Sequence, residues 1–92
     1  MTFTGRMVVG KNSYIIIDDK EKSPIVMSVN GSEDDFFAGY KTGDRVEVMT
    51  DVIAASYPEQ TYVYHIKLLE KGSQKDIPFD VLSSLRELGW IN

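Results

Sequence analysis

Ninety-two residues suit one domain, and a chain of this size buries about 60–65% of its extended surface on folding, enough for one modest core and no second. Apolar residues make up 42% and charged residues 26% of the chain, which is globular composition and excludes a disordered tail. Ten basic against fourteen acidic residues leave a net charge of −4, and no three Lys or Arg cluster; that field opposes a phosphate backbone, so a nucleic-acid partner is not expected.

Residues 3–9 alternate loosely and are rich in strand formers, so they predict a first strand. Gly10-Lys11-Asn12 is turn chemistry, because Gly and Asn tolerate positive φ and close short hairpins. Tyr14-Ile15-Ile16-Ile17 follows as a second strand, its three consecutive β-branched residues disfavouring helix. The run Asp18-Asp19-Lys20-Glu21-Lys22-Ser23 reads as a polar hairpin tip. Pro24 opens a third strand, where a missing donor does least harm, and Ile25, Met27 and Val29 share one face by period two.

Asn30-Gly31 ends that strand. Ser32 is placed to cap a short helical turn whose first residues, Glu33, Asp34 and Asp35, suit the positive end of the dipole. Phe36 and Phe37 would pack it onto the strands. After a turn at residues 41–44, Val46, Val48, Thr50 and Val52 alternate against Arg45, Glu47, Met49 and Asp51, the pattern of a half-buried fourth strand. Residues 60–69 predict a fifth, with Tyr62, Tyr64, Ile66 and Leu68 as its inward row and Thr61, His65 and Lys67 facing out.

Residues 71–75 form a linker. A closing helix is expected over 77–88, capped by Asp76, with Pro78 in its first turn and a stripe of Ile77, Val81, Leu82, Leu85 and Leu88. Gly89 sits where a left-handed C′ residue belongs, with Trp90 at C″ able to cover Leu85. Five strands, a helical link between the third and fourth, and a closing helix predict a mainly β, five-stranded OB-like barrel spanning residues 1–92. An SH3-like barrel is the alternative.

Residues with chemistry are few. The absence of cysteine excludes disulfides, thiol catalysis and thiolate metal sites. The acidic groups at 18–21 and 33–35 lack the alternating ligands, central Gly and terminal Glu of a calcium loop, and they read as a solvated tip and a helix start. His65 has no ligand or triad partner at motif spacing, and no Ser lies in a Gly-x-Ser-x-Gly turn. Gly31, Gly39 and Gly43 are too far apart for a phosphate loop. The expectation is no catalytic residue, no metal and no cofactor.

The more informative stretch is Tyr57-Pro58 with Gln60 and Tyr62. The loop between strands four and five walls the usual OB cleft, and aromatic rings there can stack on a ligand, so Tyr57, Gln60 and Tyr62 are the candidate binding residues. The structural alternative is that Pro58 fixes the corner, Tyr57 covers a barrel end, and Tyr62 and Tyr64 are core. Either isomer of the Tyr57-Pro58 bond is allowed.

Gly43-Asp44-Arg45-Val46-Glu47-Val48, then Ser56-Tyr57-Pro58-Glu59-Gln60 and Tyr64-His65-Ile66, resemble the YobA-like group, the small OB-like domains of uncharacterised Gram-positive lipoproteins. Their pattern runs Gly-x-x-Val-x-Val, a short acidic segment, then Ser-Tyr-Pro-x-Gln and a final strand, and it covers about a third of this chain closely. The resemblance implies an exported, lipid-anchored domain and brings no activity or catalytic residues. The N-terminus here has neither an apolar leader nor a cysteine, which leaves a cytoplasmic relative equally open.

Taken together, a non-enzymatic interaction module is expected, with a protein or peptide partner at the Tyr57 loop. Fold analogy alone suggests an oligosaccharide or single-stranded nucleic-acid binder as the alternative, and a structural or assembly domain that dimerises through a strand edge is a third reading. The longest apolar run, residues 14–17, is far too short to cross a bilayer.

Overall fold

Turn and cap residues divide the chain into elements close to those expected. A computed structural model describes Met1–Asn92, with β1 (Thr2–Val9), β2 (Tyr14–Asp18), β3 (Pro24–Ser28), α1 (Glu33–Phe36), β4 (Arg45–Thr50), β5 (Glu59–Glu70), a 3₁₀ turn (Gln74–Asp76) and α2 (Phe79–Glu87). The strands close in the order β1-β2-β3-β5-β4, and β4 returns to β1. Only the β3–β5 pair is parallel. This is the OB-like barrel that the element order predicts.

Closure depends on β1 serving two neighbours. Gly5 and Arg6 lie opposite Asp18 and Ile17 on β2 and also opposite Val46 and Arg45 on β4. A Cβ at Gly5 would collide with the carbonyl oxygen of Ile17, so the missing side chain lets β1 pass from one partner to the other. The short α1 starts as expected, the Ser32 Oγ accepting the Asp35 N–H at 3.2 Å. It delivers Phe37, 1% exposed, into the barrel interior. There its ring stacks on Tyr14 with centroids 4.5 Å apart and meets the edge of Phe36 at 4.9 Å.

Two apolar layers hold the molecule. Met7, Ile16, Ile25, Met27, Val46, Val48 and Val63 fill the barrel together with Phe37 and Val29. The residues that alternate with them, Val8, Ile15, Ile17 and Val26, point out of the barrel and are buried too. They pack against Ile77, Val81, Leu82, Leu85 and Ile91. Each layer has nine buried residues, so α2 closes half of the core rather than decorating the surface.

The end of α2 is built as expected. Gly89 has φ of 84°, its N–H donates to the Arg86 carbonyl at 3.1 Å, and the Trp90 N–H donates to the Leu85 carbonyl at 3.0 Å. Those two bonds are a Schellman stop. The beginning differs. The helix runs over Phe79–Glu87 with Pro78 as its N-cap, not over 77–88 with Asp76 as cap. Pro78 disfavours helical backbone at the residue before it, and Ile77 is extended at φ −99°, ψ 132°. Asp76 instead caps the preceding 3₁₀ turn, its carboxylate accepting the Ser73 N–H at 2.9 Å. Leu88, expected in the stripe, is 52% exposed, and Ile91 fills that role at 7%.

The fifth strand also departs from its expected pattern. Thr61 and Val63 point inward, whereas Tyr62 and Tyr64 are 59% and 57% exposed. The cause is visible in the register, where Met49 opposes His65 but the next residue, Thr50, opposes Val63. Tyr64 is the extra residue of a β-bulge, and a second bulge between Arg45 and Val46 absorbs Leu69. Each inserted residue reverses the inward and outward sets. The even row therefore holds only at Ile66, opposite Val48 and packed against the core, since Leu68, opposite Val46, is 39% exposed. The fourth strand ends at Thr50, so Val52, expected inward, is 85% exposed.

Candidate functional site

The β4–β5 loop is tied together from within. Ala54 and Gln60 exchange backbone hydrogen bonds at 2.7 and 3.3 Å, and the Asp51 N–H donates to the Tyr62 carbonyl at 3.0 Å. The buried Thr61 hydroxyl donates to the Asp51 and Val52 carbonyls at 3.3 and 3.4 Å. The Ser56 hydroxyl donates to the Pro58 carbonyl at 2.8 Å. Pro58 is buried, and the Tyr57-Pro58 bond is cis. Polar bonds of this kind hold a loop in one shape without help from a ligand.

Of the three residues selected from sequence, Gln60 and Tyr62 come together. On the outer face they sit beside Val26 and Ser28 of β3, and they line a shallow depression of about 220 Å³ with Ser28, Val52, Ala54 and Thr61. Tyr57 goes elsewhere: it is 57% exposed, and its hydroxyl lies 3.1 Å from the Ser84 hydroxyl on α2. Its ring stands at the junction of loop and helix. Tyr62 and Tyr64 are not core, which removes the structural alternative for those two residues. Val52 is the site residue that strand periodicity concealed, because its alternation with Val48 and Thr50 continued past the strand's real end. Ser28 and Ala54 carried no sequence signal.

In OB-type barrels, ligands cross the outer face of the second and third strands between the first loop and the loop before the last strand. Here the residues on that face, Ile15, Ile17 and Val26, lie under α2. The β1–β2 turn is also tied to the helix end, the Lys11 N–H donating to the Trp90 carbonyl at 3.0 Å. What stays open of that surface is the strip beside the β4–β5 loop.

Two polar features lie apart from it. A groove of about 390 Å³ between the β1–β2 turn and α1 includes Lys11, Ser13, Tyr14, Glu33 and Asp34. Within it the Tyr14 hydroxyl donates to Asp34 at 2.7 Å. That bond, with burial and the nearby charges of Asp34 and Glu33, raises the Tyr14 hydroxyl above its ordinary value. On the opposite side, Asp19 accepts from the Thr4 hydroxyl at 2.7 Å and from Arg45 at 2.9 and 3.0 Å. Burial pushes the Asp19 carboxyl up, but these bonds and the charges of Arg45 and Lys22 outweigh it and hold the group below its ordinary value. Neither feature pairs a nucleophile with a base. No three His, Asp or Glu side chains converge as metal ligands. His65 is exposed, opposite Met49.

The fold and this strip define a class, a closed OB-like barrel whose usual ligand face is covered by its own C-terminal helix. Compared with known proteins, the chain matches no family model, no curated protein and no solved structure. No helix is long and apolar enough to cross a membrane.

Proposed function

We propose that this domain is a non-enzymatic binding module that receives a protein or peptide partner on the strip formed by Val52, Gln60 and Tyr62, with Tyr57 at its side where loop and helix meet. The observation that carries the reading is exposure at a rigid place. Val52, Tyr57 and Tyr62 are 85%, 57% and 59% exposed, yet the backbone at Val52 and Tyr62 is fixed by the bonds of Ala54, Asp51 and Thr61, and that around Tyr57 by the Ser56 hydroxyl on the Pro58 carbonyl. Exposed aromatic rings on a pre-ordered backbone lose little entropy on binding and supply most of a small interface's energy.

The covered β2–β3 face and the net charge of −4 weigh against an oligosaccharide or single-stranded nucleic acid crossing the barrel. Membership of the YobA-like lipoprotein group, with an exported setting, is part of the same proposal and rests on the Gly43-to-Ile66 resemblance. Panning a phage-displayed library of random dodecapeptides on the domain tests the reading. Peptides enriched on the wild type should lose at least about tenfold in affinity for a Tyr57→Ala/Tyr62→Ala double variant. Enriched peptides that bind the double variant equally well, or no enrichment at all, overturn it.

A further inference from the structure

The strip borders a backbone edge that the barrel leaves unpaired. β1 covers one side of β4 as far as Thr50, whose N–H and C=O both bond to Met1, at 2.8 and 2.7 Å. Past Thr50 the chain still runs beside β5, because Ala54 bonds to Gln60 in both directions. In an antiparallel pair, successive residues turn their peptide groups to opposite sides. Ile53 and Ala55, flanking Ala54, therefore turn theirs away from β5, and their N–H groups have no partner within the chain. The N–H groups of Val52, Ser56 and Tyr57 are free as well, but it is the pair on either side of the anchored Ala54 that an added strand would recognise.

Side chains and charge narrow the occupant. Ile53 is partly buried against the barrel core, while Val52 stands almost free. An incoming strand would thus find an anchored backbone with an apolar side chain available beside it. Glu47 is matched by Lys67 opposite it, but residues 48–66, which make up the loop and the start of β5, include Asp51 and Glu59 and no Lys or Arg, a local excess of negative charge that favours a basic segment. Resting on the reading of this end of the barrel as a partner site, we propose that the edge formed by Ile53 and Ala55 receives an extended, lysine- or arginine-bearing peptide as an added strand.

The same dodecapeptide library tests this with a different variant. Ala55→Pro removes one of the edge donors and bars a strand from pairing there, while leaving Tyr57 and Tyr62 in place. Enriched peptides should be net basic, alternate β-branched residues, and bind Ala55→Pro at least about fivefold more weakly. Amide resonances of Ile53 and Ala55 should be among the most shifted on titration. Peptides that lose affinity for the Tyr57→Ala/Tyr62→Ala variant but not for Ala55→Pro overturn strand addition and leave the binding-module reading standing. An empty panning overturns both.

If Ala55→Pro fails to give a cooperative thermal melt, N-methyl scanning of an enriched peptide on the wild-type domain decides. Loss of binding at alternate positions supports an added strand, and loss without alternation overturns it. A concentration-dependent dimer in sedimentation whose contact shifts the Ile53 and Ala55 amides would assign the edge to a second copy, and it too overturns the proposal.

Discussion

The outer surface of this barrel is finished in two different ways. Across β1, β2 and β3 the outward residues Val8, Ile15, Ile17 and Val26 are apolar and sealed by α2. Across β1 and β4 the outward residues, Met49 apart, are polar and meet water directly. Arg6 bonds to Glu70 at 2.9 Å, Arg45 bonds to Asp19, and Thr4 joins that pair. Both halves use the same strand, β1, whose residues on either side of Gly5 belong to different neighbours. The contrast separates stability from recognition. The surface an OB-like barrel commonly offers to ligands has become core here, so the binding role proposed above would fall to what lies outside the helix, the β4–β5 loop and the start of β5.

The largest expected effect comes from testing that separation directly. Leu85 is fully buried between α2 and the sheet, so Leu85→Ala should destabilise the domain by about 2–5 kcal/mol in urea melts. Tyr62→Ala, on the open strip, should stay within about 0.5 kcal/mol. If the two variants melt alike, α2 is not half of the core and the contrast between the surfaces fails.

A smaller effect sharpens the comparison inside the barrel. Thr50 is 1% exposed and its Oγ1 has no hydrogen-bond partner, while Thr61, also buried, shares its one hydroxyl proton between two carbonyls. An unpaired buried hydroxyl costs about 1–3 kcal/mol, and a made bond contributes about 1. Thr50→Val should therefore raise stability by about 1 kcal/mol and Thr61→Val should lower it by about as much. The signs matter more than the sizes, and a Thr50→Val variant that melts earlier than wild type would mean that its hydroxyl is satisfied in solution.

Much of this architecture is legible in the residues, and the exceptions have physical causes. Gly10-Lys11-Asn12, Pro24, Ser32 and Gly89 each act locally, through a turn, a missing donor, a cap or a positive φ, so their effects could be read in place, although the turn at 10–12 uses no positive φ and Gly10 serves instead a close approach to the Trp90 carbonyl. The β5 bulges could not. Alternation assumes that every residue advances the pleat by one step, and the extra residue Tyr64 breaks that assumption with no Gly or Pro to mark it. This moved Tyr62 and Tyr64 to the surface and made the candidate site more exposed than periodicity allowed. The seat of α2 did leave a trace. Three consecutive isoleucines, Ile15, Ile16 and Ile17, cannot all face one side of a strand, and such a run signals burial on both faces. Ile77 left a trace as well, since the residue ahead of Pro78 is a poor helix start.

The smallest effect belongs to the polar surface and is set by pH. Asp19 accepts bonds from Thr4 and Arg45 that exist in full only when it is ionised, and its carboxyl is held below its ordinary value in the folded state. A group lowered in this way contributes stability above its unfolded pKa, about 3.9, and loses it as the pH falls through the folded value. The pair is partly open to water, with Asp19 29% and Arg45 38% exposed, so the contribution at neutral pH should be about 0.2–1 kcal/mol. Asp19→Asn should cost that amount at about pH 7, and the gap should close as the pH falls through the lowered folded value, where the wild-type carboxyl also becomes neutral. The Leu85→Ala deficit rests on apolar contact and should persist across the same range, so urea melts of both variants along an acid titration separate the two surfaces. A pH-independent Asp19→Asn gap would show that this carboxylate acts through hydrogen-bond shape rather than charge.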